Sequence, residues 1–335
     1  YGLSEELKAA KEAEIPVIAY DDLIMNTDGV KYYVTFGGRQ IGQLIGQEII
    51  DKEELEKLQE AKESKTIEFL MGSLDDTQAL FFYNGLMEKL QPYLDDGTLV
   101  CKSGQITFEE TGILRWSTDE AQSRAEEMLS EFYSDTETPD IICTGFDGAA
   151  ESVSKVLQDN GLTPGENWPM ITGVGCDSEA VRDIAESEIS CSVFMDRREL
   201  ADQAEDMVNV YLHGEDDPEV NDYEQYDNGT KIIASYLCEP QLISIDNYEL
   251  LIDNGYYTED EVKPEATPTP EPTVTPEITE EPDVTATPEV TKSPEVTITP
   301  EVTEEPEETA TEAPTEKVTP TPKERVTLKR STKNK

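Results

Sequence analysis

From Thr66 onward the chain alternates five times between a short apolar run and a longer amphipathic stretch. The pairs are "TIEFLMGS" with "TQALFFYNGLMEKLQPYL", "TLVCKSG" with "TDEAQSRAEEMLSEFYSD", "DIICTGF" with "AAESVSKVLQDNG", "MITGVG" with "SEAVRDIAE", and "ISCSVFM" with "RRELADQAEDMVNVYLHG". The short runs have the length and β-branched content of buried strands, and the long ones have helical apolar spacing. A strand, a helix and a further strand form a parallel pair joined by a right-handed crossover. Five such units in succession predict a doubly wound α/β lobe with a parallel sheet covered on both faces.

Ahead of this lobe the same grammar is present in a shorter form. "SEELKAAKEAE" reads as a helix that runs into the strand "IPVIAY", followed by the strand "YYVTF" and a helix over about 40 to 58. The expected organisation is the remnant of an incomplete first α/β lobe with its crossover over 1–60, a second α/β lobe over 61–240, a hinge return and C-terminal segment over 241–262, and a tail over 263–335.

The tail is marked by a change of composition. Aromatic residues stop, Pro, Thr and Glu dominate, and a proline recurs every six residues from Pro270 to Pro306. Fixed φ angles, missing amide donors and mutually repelling glutamates cannot build a core, so an extended, disordered spacer is expected there. It ends in the basic stretch "KERVTLKRSTKNK".

The formal net charge of -48 opposes a nucleic-acid partner, because phosphates are held by clustered Lys and Arg. The five cysteines contain no CxxC pair, so neither a zinc pattern nor a disulfide framework is expected, and buried free thiols are. His213 is the single histidine and sits at a predicted helix end, and no Ser or Cys has a neighbouring base. No enzymatic activity, cofactor or metal site is therefore expected.

Acids stand at the ends of the predicted strands: Asp21 and Asp22, Asp75 and Asp76, Asp147, Asp177 and Asp196. In open parallel sheets ligands lie beyond the carboxyl ends of the strands. Ionised carboxylates accept hydrogen bonds only, which suits a ligand rich in hydroxyl donors. An Asp after a strand is also a favoured helix N-cap, and Asp147 and Asp196 are the two most readily assigned to capping.

Several stretches carry a resemblance: "IPVIAYDDLI", "VKYYVTF", "FFYNGLMEKLQPYLDDGTLVCKSGQ", "GILRWSTDEAQSR", "MDRRELA" and "DPEVNDYEQYDNGTKIIASYLCEPQLISIDNYELLIDNGYYTEDEV". Through them the chain resembles the type I periplasmic sugar-binding proteins of ABC importers, in the branch of the xylose-binding protein and the multiple sugar-binding receptors. The resemblance implies a two-lobed fold that closes on sugar, with the chain beginning inside its first lobe and a signal peptide upstream. It implies a monomer outside the cytoplasm, tethered at the membrane or cell surface, that captures a monosaccharide for ABC permease subunits. The alternative is a surface-displayed sensing module on a stalk, with an eroded pocket and a membrane sensor as partner.

Carried over residue by residue, the resemblance places an Asp-Arg pair of the family on Asp21 and Asp22, so the arginine has become an acid. An Asp-Asn-Asn falls on Asp76, Thr77 and Gln78, and the aromatic that flanks the sugar falls on Trp116. Phe146 stands where an Asn is common, Gly175 where the family has a ligand Asp, with Asp177 the nearest substitute, and Met195 where it has a Lys. "FGG" at Phe36, Gly37 and Gly38 replaces an "FDN". The expected ligand set is thus Asp21, Asp22, Asp76, Gln78, Trp116, Phe146, Asp147, Asp177 and Met195.

Overall fold

The computed structural model describes residues 3–133, 137–165, 167–214 and 217–263, so the expectations for the tail fall outside the described residues except at Lys263. The strands are β1 (Val17–Tyr20), β2 (Val30–Phe36), β3 (Lys65–Leu70), β4 (Leu99–Val100), β5 (Ile141–Thr144), β6 (Met170–Gly175), β7 (Cys191–Phe194), β8 (Ala234–Cys238) and β9 (Gln241–Ser244). The helices are α1 (Ser4–Glu12), α2 (Gly38–Lys52), α3 (Leu55–Ala61), α4 (Thr77–Asp96), α5 (Phe108–Thr111), α6 (Thr118–Phe132), α7 (Asp147–Asp159), α8 (Ser178–Ala185), α9 (Arg197–His213), α10 (Leu250–Asp253) and α11 (Glu259–Val262).

Two sheets form, in the orders β1-β2-β8 and β4-β3-β5-β6-β7-β9. Every pairing is parallel except β7 with β9. The five predicted βα units therefore build the larger sheet, as a parallel α/β lobe, and the strand order reverses between β3 and β5. Such a reversal opens a crevice at the carboxyl ends of the two strands.

Alternate residues of these strands feed two cores. Ile141 and Cys143 of β5 join a cluster with α2 and α4, while Ile142 between them joins a cluster with α6, α7 and α8. This is the period-two alternation of a sheet buried on both faces. The first cluster also takes in Tyr32, Val34 and Phe36 of β2, so it is shared by both sheets.

Helices α2 and α4 carry that shared core, and glycines set how near they approach. A Cβ on Gly42 would lie 2.0 Å from the Phe82 carbonyl oxygen, and one on Gly85 would lie 2.0 Å from the Arg39 carbonyl oxygen. Only a residue without a side chain fits at either place.

Three elements differ from the sequence reading. The helix over 40 to 58 is two helices, because Glu54 adopts a left-handed conformation (φ 50°) between α2 and α3 and lets Leu55 turn into the core. The strand in "TLVCKSG" shrinks to Leu99 and Val100, since the chain then leaves the sheet edge and uses the Ser103 amide and hydroxyl to satisfy the buried carboxylate of Glu68. Finally, β8 lies within 61–240 yet pairs with β2, and β9 in the following segment joins the larger sheet. Between them stands Pro240, which has no amide to continue a ladder, and there the chain passes from one sheet to the other.

The five cysteines are free thiols, four of them buried. His213 lies in the last turn of α9, its Nδ1 2.8 Å from the Asn209 carbonyl oxygen, just before Gly214 at the C-cap (φ 66°).

Candidate functional site

A cavity of about 200 Å³ opens where the carboxyl ends of β1, β2, β3, β5, β6 and β7 face one another. Its polar lining is Asp21, Asp22, Thr35, Asp76 and Gln78; its apolar lining includes Phe36, Ile41, Phe82, Trp116, Val174 and Met195. Pockets for drug-sized ligands span about 300–1,000 Å³, so this one suits a single small ring.

Asp21 follows β1 and holds φ at 63°. The Asp21 amide donates to the Val34 carbonyl (2.9 Å), and its own carbonyl accepts from the Tyr33 and Thr35 hydroxyls. Neighbouring β2 thus occupies the backbone of Asp21, while the side chain lines the cavity. Burial first and the adjacent Asp22 second push the Asp21 carboxyl above its ordinary value; Arg197 opposes this and Asp76 adds to it.

Asp76 is the N-cap of α4, accepting the Gln78 amide at 2.8 Å, and it also lines the cavity. Burial raises its pKa, the Gln78 amide lowers it, and the charge of Asp22 raises it again. Gln78 reaches back from the first turn of α4 to the other sheet. Its Nε2 donates to Thr35 Oγ1 (2.8 Å) and Tyr33 Oη (3.1 Å), and its Oε1 is buried.

Trp116 forms a wall. Arg115 and Trp116 both take left-handed conformations, at φ 57° and 56°. Such conformations are costly for bulky side chains and cluster at binding sites. The indole lies so close to Gly72 that a Cβ there would meet two of its ring carbons at 2.3 Å, and Phe146 stands edge-on against it at a centroid distance of 5.4 Å.

Six of the nine expected residues therefore meet at the cavity: Asp21, Asp22, Asp76, Gln78, Trp116 and Met195. Phe146 is one layer back, behind Trp116. Asp177 caps α8 through the amides of Glu179 (3.1 Å) and Ala180 (3.0 Å). Asp147 is buried, but Phe146 holds the N-cap position of α7. The Asp147 carboxylate instead accepts from Ser192 Oγ (2.6 Å) and the Asp177 amide (2.9 Å), tying β7 to the start of α8. Neither acid lines the cavity, and Asp196 is an N-cap as expected, accepting from the Arg198 amide at 2.9 Å.

Sequence reasoning missed Thr35, Ile41, Ala79, Phe82, Gly145 and Val174. Thr35 was legible in principle, because it shares a face of β2 with Tyr33, two residues earlier. Phe82 reads as a core residue and is one, being 5% exposed, with the cavity meeting that core at its ring. The result is a compartment whose wall combines carboxylates with aromatic and aliphatic surface. That pairing matches a ring with hydroxyls at its rim and C–H groups on its faces.

Comparison with known proteins gives the same direction. A model described as a periplasmic binding protein domain matches residues 2–216. The multiple sugar-binding periplasmic receptor ChvE of Rhizobium radiobacter is 40% identical over 263 residues, covering 78% of this chain and 73% of that protein. The multiple sugar-binding periplasmic protein SbpA of Azospirillum brasilense is 38% identical, covering 78% and 72%. Among solved structures, an ABC transporter solute-binding protein from Clostridium phytofermentans with bound β-D-glucose is 41% identical, with a TM-score of 0.71 over 78% of this chain and 79% of that one. A carbohydrate transporter solute-binding protein from Chloroflexus aurantiacus in complex with D-glucose is 25% identical, with a TM-score of 0.64 over 77% of each. By the match over residues 2–216 and by the 40% identical relative, the chain belongs to the periplasmic binding protein family.

Proposed function

We propose that this protein is an extracytoplasmic receptor that captures a monosaccharide and presents it to the permease of an ABC importer. The observation that carries the reading is the cavity, lined by the carboxylates of Asp21, Asp22 and Asp76 together with Trp116, Phe36 and Phe82. Acceptors hold the hydroxyls, and Trp116 supplies a flat apolar surface for a ring face. The likeness to a glucose-bound relative at 41% identity supports the same assignment. No step of bond making is needed, and the acids act as ligands.

Calorimetric titration with D-glucose, D-xylose and other aldoses tests it. Saturable binding of one of them is expected, and Trp116→Ala should weaken that binding about tenfold, since aromatic contacts contribute on the order of 1 kcal/mol beyond buried area. Absence of binding to every aldose and amino sugar tried would remove the sugar assignment.

A further inference from the structure

The cavity is unbalanced in charge. Three of its lining side chains are carboxylates, Asp21, Asp22 and Asp76, and no Lys, Arg or His stands among the described lining residues. Arg197, exposed at the start of α9, is the cation that acts on Asp21, and there it ranks behind both burial and the repulsion from Asp22. Met195, two residues before it, offers only a thioether to the cavity.

A neutral sugar can donate hydroxyl hydrogen bonds to these oxygens, but it leaves the net negative charge in place. Like charges held near one another and partly removed from water are costly until an opposite charge meets them. Gln78 adds no free donor: its amide nitrogen is engaged by Tyr33 and Thr35, and its carbonyl oxygen is buried. The polar side of the cavity is therefore short of donors and of positive charge at once. An ammonium group supplies three donors and one positive charge.

We infer that this cavity selects a protonated amino sugar over the neutral sugar of the same ring, and rejects the corresponding sugar acid. The inference rests on the sugar-site reading above and adds the charge of the ligand to it. The ammonium is held by Asp22 together with Asp21 or Asp76, and the rest of the ring lies against Trp116.

The test is calorimetric titration of the unaltered chain, at slightly acidic pH, with D-glucosamine, D-glucose and D-glucuronate. Glucosamine should bind about tenfold or more tightly than glucose, the margin of a charge-assisted over a neutral hydrogen bond, and glucuronate should bind weakest. Asp22→Asn should narrow the ratio between glucosamine and glucose. Glucose binding as tightly as glucosamine, or tighter, overturns the charge selection and leaves the sugar site standing. No binding of any of the three, nor of other aldoses, overturns both. An unchanged ratio in a folded Asp22→Asn variant overturns the place given to the ammonium.

Discussion

One oxygen of Asp76 holds the Gln78 amide at the start of α4, and the same side chain lines the cavity, so a truncation would remove a cap and a ligand contact together. Capping and binding can be separated with Asp76→Asn, because asparagine caps as well as aspartate but carries no charge. We expect that variant to keep its thermal midpoint and to lose about tenfold in sugar affinity, the value of one charge-assisted contact; affinity equal to that of the parent would exclude Asp76 from the site. The residue scale also shows what a strand-end rule can and cannot read. Asp21, Asp22 and Asp76 follow strands whose carboxyl ends face the crevice, and they converge there. Asp147 and Asp177 follow strands too, but amides and a hydroxyl lie within their reach, and the carboxylates turn to those donors. For Asp147 nothing in the local sequence shows the outcome, since its donors come from Ser192 and from the start of α8, whereas Asp177 meets amides two and three residues on.

The crossing of α2 and α4 fixes the spacing of the helix starts that carry Gly38, Ile41, Gln78 and Ala79 into the cavity wall. Gly42→Ala would set a Cβ 2.0 Å from the Phe82 carbonyl oxygen and 2.6 Å from the Leu86 nitrogen, both backbone atoms. Overpacking of this kind costs about 1–3 kcal/mol or more. Thermal denaturation should show a drop of roughly 2–4 °C for each kcal/mol lost, and sugar affinity should fall although residue 42 touches no ligand. Retained midpoint and affinity would mean that the helices part without consequence. Element types were legible because β3, β5, β6 and β7 each pair with strands near in sequence and keep a clear apolar pattern. The partnership of β8 with β2 was not, because it joins Tyr32 to Ala234 and no local pattern records so distant a pairing. The break between α2 and α3 was hidden as well, since Ile49, Ile50, Leu55 and Leu58 keep the apolar rhythm across it.

At the scale of the whole molecule, three acids outside the cavity carry raised pKa values that make stability respond to pH. Burial, eased by the Ser192 hydroxyl, pushes Asp147 up to about 7 from an ordinary 3.8. Burial and the charges of Glu188 and Glu186 push Asp183 up to about 7, and burial with Asp177 and Asp147 pushes Glu151 up to about 8 from 4.5. A folded-state value above the unfolded one stabilises the fold fully below the unfolded pKa, and that contribution disappears as pH rises through the folded value. Stability should therefore decline as pH rises from about 5 to 8, in the same sense as the self-repulsion of a chain with net charge -48. Melting curves across that range should show the decline, and Asp147→Asn should flatten it; a midpoint that rises toward pH 8 would contradict the assignment. The glycine crossing has one more consequence, for how kindred sites are found. Carboxylates at strand ends can be exchanged singly while a pocket changes its ligand, but Gly42 and Gly85 each abut the other helix's backbone, and neither can vary without altering the frame. Chains that share this cavity's architecture are thus better searched for by the paired glycines than by the acids, and the acids then report which ligand each one has come to hold.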